Sequence, residues 1–179
     1  MNEYRNAPQL RRAFFVIGPE GSGTHLLTDV FVSVGCHEEP WHGGWPADGK
    51  YRFDEMPDLF VFRRSLPHAY IWPNLPEIRK QMEEIGGYQV QPMLIMRDWY
   101  CTIKSVIRRG YQGKWETVEE NMRKGSLMAF RDLPDLIYVT YESFCHHPQF
   151  RRWLFVEKLK LPNPTVQIHY ANPKYYGDK

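Results

Sequence analysis

Two short stretches carry residues whose types and spacing suit the binding of phosphate-like anions. The first, Gly18-Pro19-Glu20-Gly21-Ser22-Gly23-Thr24, follows the apolar run AFFVI. Glycines in such a turn let successive backbone N–H groups converge on an anion, and a helix start beyond them adds partial positive charge. Thr24 brings its own N–H and a hydroxyl. The second stretch, MLIMRDWYCTIKS, ends an apolar run at Arg97 and reaches Ser105 eight residues later. An arginine and a hydroxyl held two helical turns apart can share one dianionic phosphate, the arginine through a charge-assisted fork. Alone, a glycine-rich turn is often unliganded, and an Arg-Asp pair at a strand end is more often a structural ion pair. Together they favour a ligand with two anionic groups.

The first loop departs from the nucleotide triphosphatase pattern G-x-x-x-x-G-K-[ST]. Gly18 and Gly23 keep the spacing, but Thr24 and His25 stand where the lysine and the hydroxyl residue belong. Those two groups hold the β- and γ-phosphates and Mg²⁺. Their replacement argues against ATP or GTP hydrolysis. A divergent P-loop nucleotide or small-molecule kinase stays as the alternative reading.

The elements around these loops alternate. Runs 13–17, 59–62, 90–96 and 136–140 are short and apolar, as strands buried on both faces are. Helical patterns cover 24–34, 76–87, 99–109, 115–130 and 148–159, with proline opening the second and glycines closing the first two. Residues 36–58 read as a long loop. Strands alternating with helices predict one domain over 1–179, a three-layer α/β/α fold with a central, mostly parallel sheet of the P-loop NTPase kind. Ligands in such folds sit at the carboxyl ends of strands, where both anion stretches fall.

PEGSGTHLL resembles the loop of the sulfotransferases that use 3′-phosphoadenosine 5′-phosphosulfate (PAPS), which runs like PKSGTTWL and cradles the 5′-phosphosulfate. Pro19, Ser22, Gly23 and Thr24 stand in matching places; Gly21 replaces a Lys or Arg, and His25 replaces the second Thr. Arg97, Asp98 and Ser105 are similar to that family's Arg-(Asp/Asn)-Pro…Ser element, which binds the 3′-phosphate of PAPS; Trp99 stands for the proline. LFVFRRSLPHA resembles its strand ending Lys-Thr-His-Leu-Pro. Arg63 falls on the lysine, Arg64 on the threonine and Ser65 on the histidine, with His68 three residues later. LIYVTYESFCHHPQF resembles its late strand and helix, which implies Tyr141 near the adenine and Glu142 in a structural role.

The resemblance, spanning about 14–162, implies sulfuryl transfer from PAPS, as co-substrate and without a metal, to a hydroxyl or amine. The cofactor-binding set is then Gly21, Ser22, Gly23, Thr24, His25, Arg97, Ser105 and Tyr141. Arg63 or Arg64 supplies the charge missing at Gly21; adjacent strand residues point to opposite faces, so one of the two faces the site. Some branches of that family use a glutamate shortly after the first helix as base, and CHEEPWHGG offers His37, Glu38, Glu39 and His42 there. His42 and Glu39 are the first candidates and His68 the next. A catalytically degenerate PAPS-binding protein is a further alternative.

The 179 residues, 42% hydrophobic and 15% aromatic, suit a single well-buried domain, and a formal net charge of +2 does not suggest a nucleic-acid surface. Cys36, Cys101 and Cys145 are odd in number and lack metal-ligand spacing, which predicts a reducing, cytoplasmic setting. No apolar run approaches a membrane span. Arg123-Lys124-Gly125 reads as a solvated helix face, His146-His147 as a surface turn. The acceptor, a small molecule or glycan, is not specified by any motif; 36–57 and 108–118 are the segments expected to contact it.

Overall fold

The computed structural model describes residues 10–40, 51–68, 71–110 and 113–176. Its centre is β1 (Arg12–Gly18), whose residues 13 to 18 are all buried. β1 pairs in parallel with β3 (Leu59–Ser65) on one side and with β4 (Gln89–Met96) on the other. The short β2 (His37–Glu38) joins β3, and β5 (Ile137–Thr140) joins β4, giving the order β2-β3-β1-β4-β5. Every pairing is parallel.

Alternation along β1 distributes its side chains to two cores. Phe14 and Val16 pack with Leu27, Val30 and Phe31 of α1 (Thr24–Ser33) and with Phe144 and Phe155. Ala13, Phe15 and Ile17 pack with Leu75, Ile78 and Met82 of α2 (Leu75–Glu84) and with Ala129 of α4 (Trp115–Asp132). Helices therefore cover both faces of a parallel sheet, and the fold is a three-layer α/β/α sandwich of the P-loop kind. α3 (Trp99–Arg108) follows β4, with Asp98 accepting a hydrogen bond from the Cys101 N–H at 2.9 Å as its N-cap.

The structure adjusts several sequence boundaries. Residues 36–58, expected as loop, contain β2 and a 3₁₀ turn, Phe53–Glu55, whose Phe53 is fully buried. β2 is two residues long, too short for periodicity to mark. The YES segment begins α5 (Tyr141–His146) directly after β5. The last long helix starts as α6 (Pro148–Arg152) and continues as a π-helical turn, Trp153–Lys158. The chain then runs without regular structure to α7 (Pro173–Tyr176), a turn of helix that the sequence reading did not include. Among the described residues no helix is long and apolar enough to cross a membrane, and all three cysteines are free thiols.

Candidate active site

Because β1 and β4 are hydrogen-bonded neighbours, the turns that leave their carboxyl ends face each other. Ile17 pairs with Leu94, so the turn opening at Gly18 and the β4–α3 junction carrying Arg97 leave the same end of the sheet. The glycine turn needs its glycines. Gly23 caps α1 at φ 106°, and a Cβ there would lie 2.6 Å from Cδ2 of Tyr141. Gly21 sits at φ 79°. Only glycine adopts such angles without cost, and only glycine leaves the room. α1 thus starts at Thr24 with its free N–H groups directed out of the loop.

Between the loop and α3 lies a cavity of about 580 Å³. Gly21, Gly23, Thr24 and His25 line it from the loop side. Arg97, Ser105, Arg108 and Arg109 line the facing side, and Lys174 with Tyr175 closes it from the C-terminal segment. Three arginines and a lysine, with no carboxylate among the described lining residues, give the cavity a positive potential that suits a highly charged anion.

Arg97 is 7% exposed and is the anchor of the cavity. Its Nε donates to Asn172 Oδ1 and its Nη1 to the Gly21 carbonyl at 3.3 Å. The guanidinium lies between two aromatic rings, 4.7 Å from the Tyr141 centroid and 5.0 Å from that of Tyr175. Its Nη2 is buried without a hydrogen-bond partner among the described residues, as is the hydroxyl of Ser22. A buried, unpaired donor on a permanently charged group is costly, and a ligand oxygen relieves that cost. Both orphaned atoms belong to residues that the sequence reading assigned to phosphate binding.

The C-terminal segment completes the wall. Asn172 is fully buried and donates from Nδ2 to Glu142 Oε1 at 2.8 Å, an oxygen that also accepts the Asp98 N–H at 2.9 Å. Glu142 thereby ties α5, the β4–α3 junction and the C-terminal segment together. Burial opposes ionisation of Tyr175, but hydrogen bonds from Ser105 and Lys174, together with the charges of Lys174 and Arg97, outweigh it and hold the phenol below its usual value. Tyr141 is buried beneath Gly23, with its hydroxyl accepting from the Ala171 N–H at 3.1 Å. It supports Arg97 from below and is not on the cavity wall.

The candidate catalytic residues separate. Arg63 and Arg64, at the end of β3, leave in different directions. Arg63 Nη1 donates to Nε2 of His25 at 2.6 Å, which brings Arg63 to the cavity's loop side. That bond requires a neutral, accepting imidazole; burial first, and then the Arg63 charge, lower the His25 pKa accordingly. Arg64 is fully buried, 3.9 Å over the Phe62 ring, and donates to Glu39 Oε1 at 3.1 Å.

Glu39 is itself fully buried, its other oxygen accepting the Arg63 N–H at 2.9 Å. This corrects the expectation of a base at Glu39: both its oxygens are engaged in holding the end of β3, and it does not reach the cavity. His68 is half-buried outside the cavity wall, its pKa lowered chiefly by burial. His42 lies outside the described residues. Neighbouring His25, Asp29 on the next turn of α1 is pushed up by burial.

Asn172, Lys174 and Tyr175 were not singled out from sequence, and Arg108 and Arg109 only as the start of a segment, 108–118, expected to contact the acceptor. For the two arginines a signal existed: they sit three and four residues beyond Ser105, on the helix face that Ser105 already marks. For ANPKYYG there was none, since its place over the loop arises from a long-range contact.

No family model and no curated protein matches the chain. Among solved structures it is similar to mouse sulfotransferase SULT7A1 complexed with PAP, with a TM-score of 0.57 and 12% identity. The match covers 93% of this chain and 63% of that one, so the present chain spans less than two thirds of the relative's length. The likeness extends over the three-layer fold.

Proposed function

We propose that the chain is a sulfotransferase that binds PAPS in the Arg97 cavity and passes its sulfuryl group to a hydroxyl or amine acceptor. The observation that carries this reading is the buried guanidinium of Arg97, orphaned at Nη2 and joined through Nη1 to the glycine turn. A site for one phosphate needs only the turn. A buried cation beside it suits a ligand phosphorylated at two separated positions, such as the two ends of adenosine 3′,5′-bisphosphate (PAP). The fold likeness to a PAP-bound sulfotransferase points the same way.

In this reading the loop amides and Thr24 hold the 5′-phosphosulfate, while Arg97 and Ser105 hold the 3′-phosphate. Transfer forms a bond from sulfur to the acceptor atom and breaks the S–O bond to the 5′-phosphate, whose oxygen keeps the electron pair while the acceptor proton passes to a base. Arg63, braced by Glu39 and bonded to His25, is the cation on the acceptor side. Its role is to offset charge on the moving group; that of His25 is to keep the guanidinium oriented.

A second reading, a PAP-binding protein without transfer activity, is favoured by one observation: Glu39, a leading candidate base, is committed to Arg64. Calorimetry with PAP in the absence of Mg²⁺ tests the shared premise. Removing a buried charge-assisted contact costs about 2–4 kcal/mol, so Arg97→Ala is expected to weaken PAP roughly 30- to 1000-fold. Arg97→Lys recovers little, because the fork is lost. Unchanged PAP affinity in Arg97→Ala, or Mg²⁺-dependent ATP turnover by the natural protein, removes the premise. Transfer from PAPS to any acceptor in a mixed panel decides for the enzyme.

A further inference from the structure

We propose that Arg109 is the cation of the glycine turn, delivered from α3 instead of from the loop, and that it holds the 5′-phosphate end of the ligand. A phosphate loop ordinarily takes its cation from the residue after its last glycine. Thr24 occupies that place and carries no charge.

The helix that presents Ser105 to the cavity supplies the replacement. Ser105 and Arg109 are four residues apart, on one helix face, and Arg109 Nε donates to the Ser105 carbonyl at 3.1 Å. This bond turns the guanidinium towards the loop. A Cβ placed on Gly21 would lie 3.0 Å from Arg109 Nη2 and 3.3 Å from Ser105 Cβ. A side chain at position 21 and the guanidinium of Arg109 would therefore compete for one space. Gly21 vacates it, and Arg109 enters.

Of the three arginines on this side, Arg97 and Arg109 then divide the ligand between them. Arg97 is buried on the β4 side, held by Asn172 and sandwiched between Tyr141 and Tyr175. Arg109 is exposed at the loop side, close enough that its charge helps lower the His25 pKa. His25 directly follows Thr24, so Arg109 faces the end where the loop amides converge. Arg97 and Ser105 grip the inner phosphate, Arg109 the outer one. This assignment rests on the PAP reading.

The test couples a side-chain truncation to a ligand truncation, so that each phosphate is assigned separately. Calorimetry would compare PAP, adenosine 5′-monophosphate and adenosine 3′-monophosphate on the natural protein, Arg109→Ala, Arg109→Lys and Arg123→Ala. Arg123, exposed in the middle of α4 and not on the cavity lining, controls for the loss of one surface charge. Arg109→Ala is expected to weaken PAP and the 5′-monophosphate about 10- to 100-fold and to change the 3′-monophosphate by less than about threefold. Arg109→Lys should restore part of the loss, and Arg123→Ala should leave all three ligands unchanged. Equal losses for the 3′-monophosphate, a matching loss in Arg123→Ala, or an unchanged PAP affinity in Arg109→Ala each overturn the assignment while leaving the PAP reading in place. Failure of the natural protein to bind PAP overturns both.

Discussion

Replacing Gly23 by alanine tests the geometry on which the loop depends. At φ 106° a non-glycine residue is strained, by about 1–2 kcal/mol on the usual scale for left-handed backbone. The new methyl would also stand 2.6 Å from Tyr141 Cδ2, 3.2 Å from its Cε2 and 3.4 Å from Ile95 Cδ1. Carbon atoms prefer about 3.5–4.0 Å, so the first contact overlaps by about 1 Å. Tyr141 cannot retreat cheaply, since it is 4% exposed, holds the Ala171 N–H and backs Arg97. Overpacking of this kind costs roughly 1–3 kcal/mol. The sum, about 2–5 kcal/mol, corresponds to a fall in Tm of roughly 5–15 °C for a domain of this size. Thermal and urea unfolding read the stability, and calorimetry with PAP reads the loop, where a displaced Tyr141 should weaken binding at least about tenfold. Gly113→Ala is the matched control: its Cβ meets nothing within 4 Å, and its effect should stay within about 0.5 kcal/mol. A Gly23→Ala protein as stable as the Gly113→Ala protein, with natural PAP affinity, would refute the account of the loop.

Glu39→Gln leaves the fully buried Arg64 without its carboxylate and is expected to cost about 3–5 kcal/mol by urea unfolding, part of which Glu39→Gln/Arg64→Met should recover. Loss of sulfuryl transfer with natural stability would instead make Glu39 the base. Stability should also fall with acid. His25 and His68 are held below 6.5 by burial, so as the pH drops through 6.5 the unfolded chain binds more protons than the folded one and gains relative to it. Tm is therefore expected to decline between about pH 7.5 and 5, and His25→Gln should flatten part of that decline; equal slopes in the two proteins would show that His25 is not held neutral. The raised carboxyl of Asp29 acts with the opposite sign, and nearer the carboxylate range.

Much of the scaffold was legible because its signals are local. Apolar runs of strand length, a proline opening α2 and glycines closing α1 mark elements through backbone preferences that act within a few residues. The glycine turn between β1 and α1, and the Arg97–Ser105 spacing, are local for the same reason: each lies on a single strand–loop–helix unit. Their meeting required that β1 and β4 be neighbours, a strand order that the structure supplies.

What the tertiary structure decided involves contacts between distant parts of the chain. Alternation along β3 separates Arg63 from Arg64, but only the arrival of His25 on one side and of Glu39 and Tyr51 on the other assigns a partner to each. No pattern in ANPKYYG foretells that Asn172 binds Arg97 from 75 residues away, or that Tyr175 closes the cavity. Arg109 likewise acquires its place against Gly21 from the packing of α3 over the loop. Such pairings depend on shape and charge across the whole molecule, whereas periodicity and turn chemistry are properties of neighbours along the backbone. The amino-acid order by itself determined which units form and marked the glycine turn and Arg97; the packed molecule decided which other cations line the cavity between them.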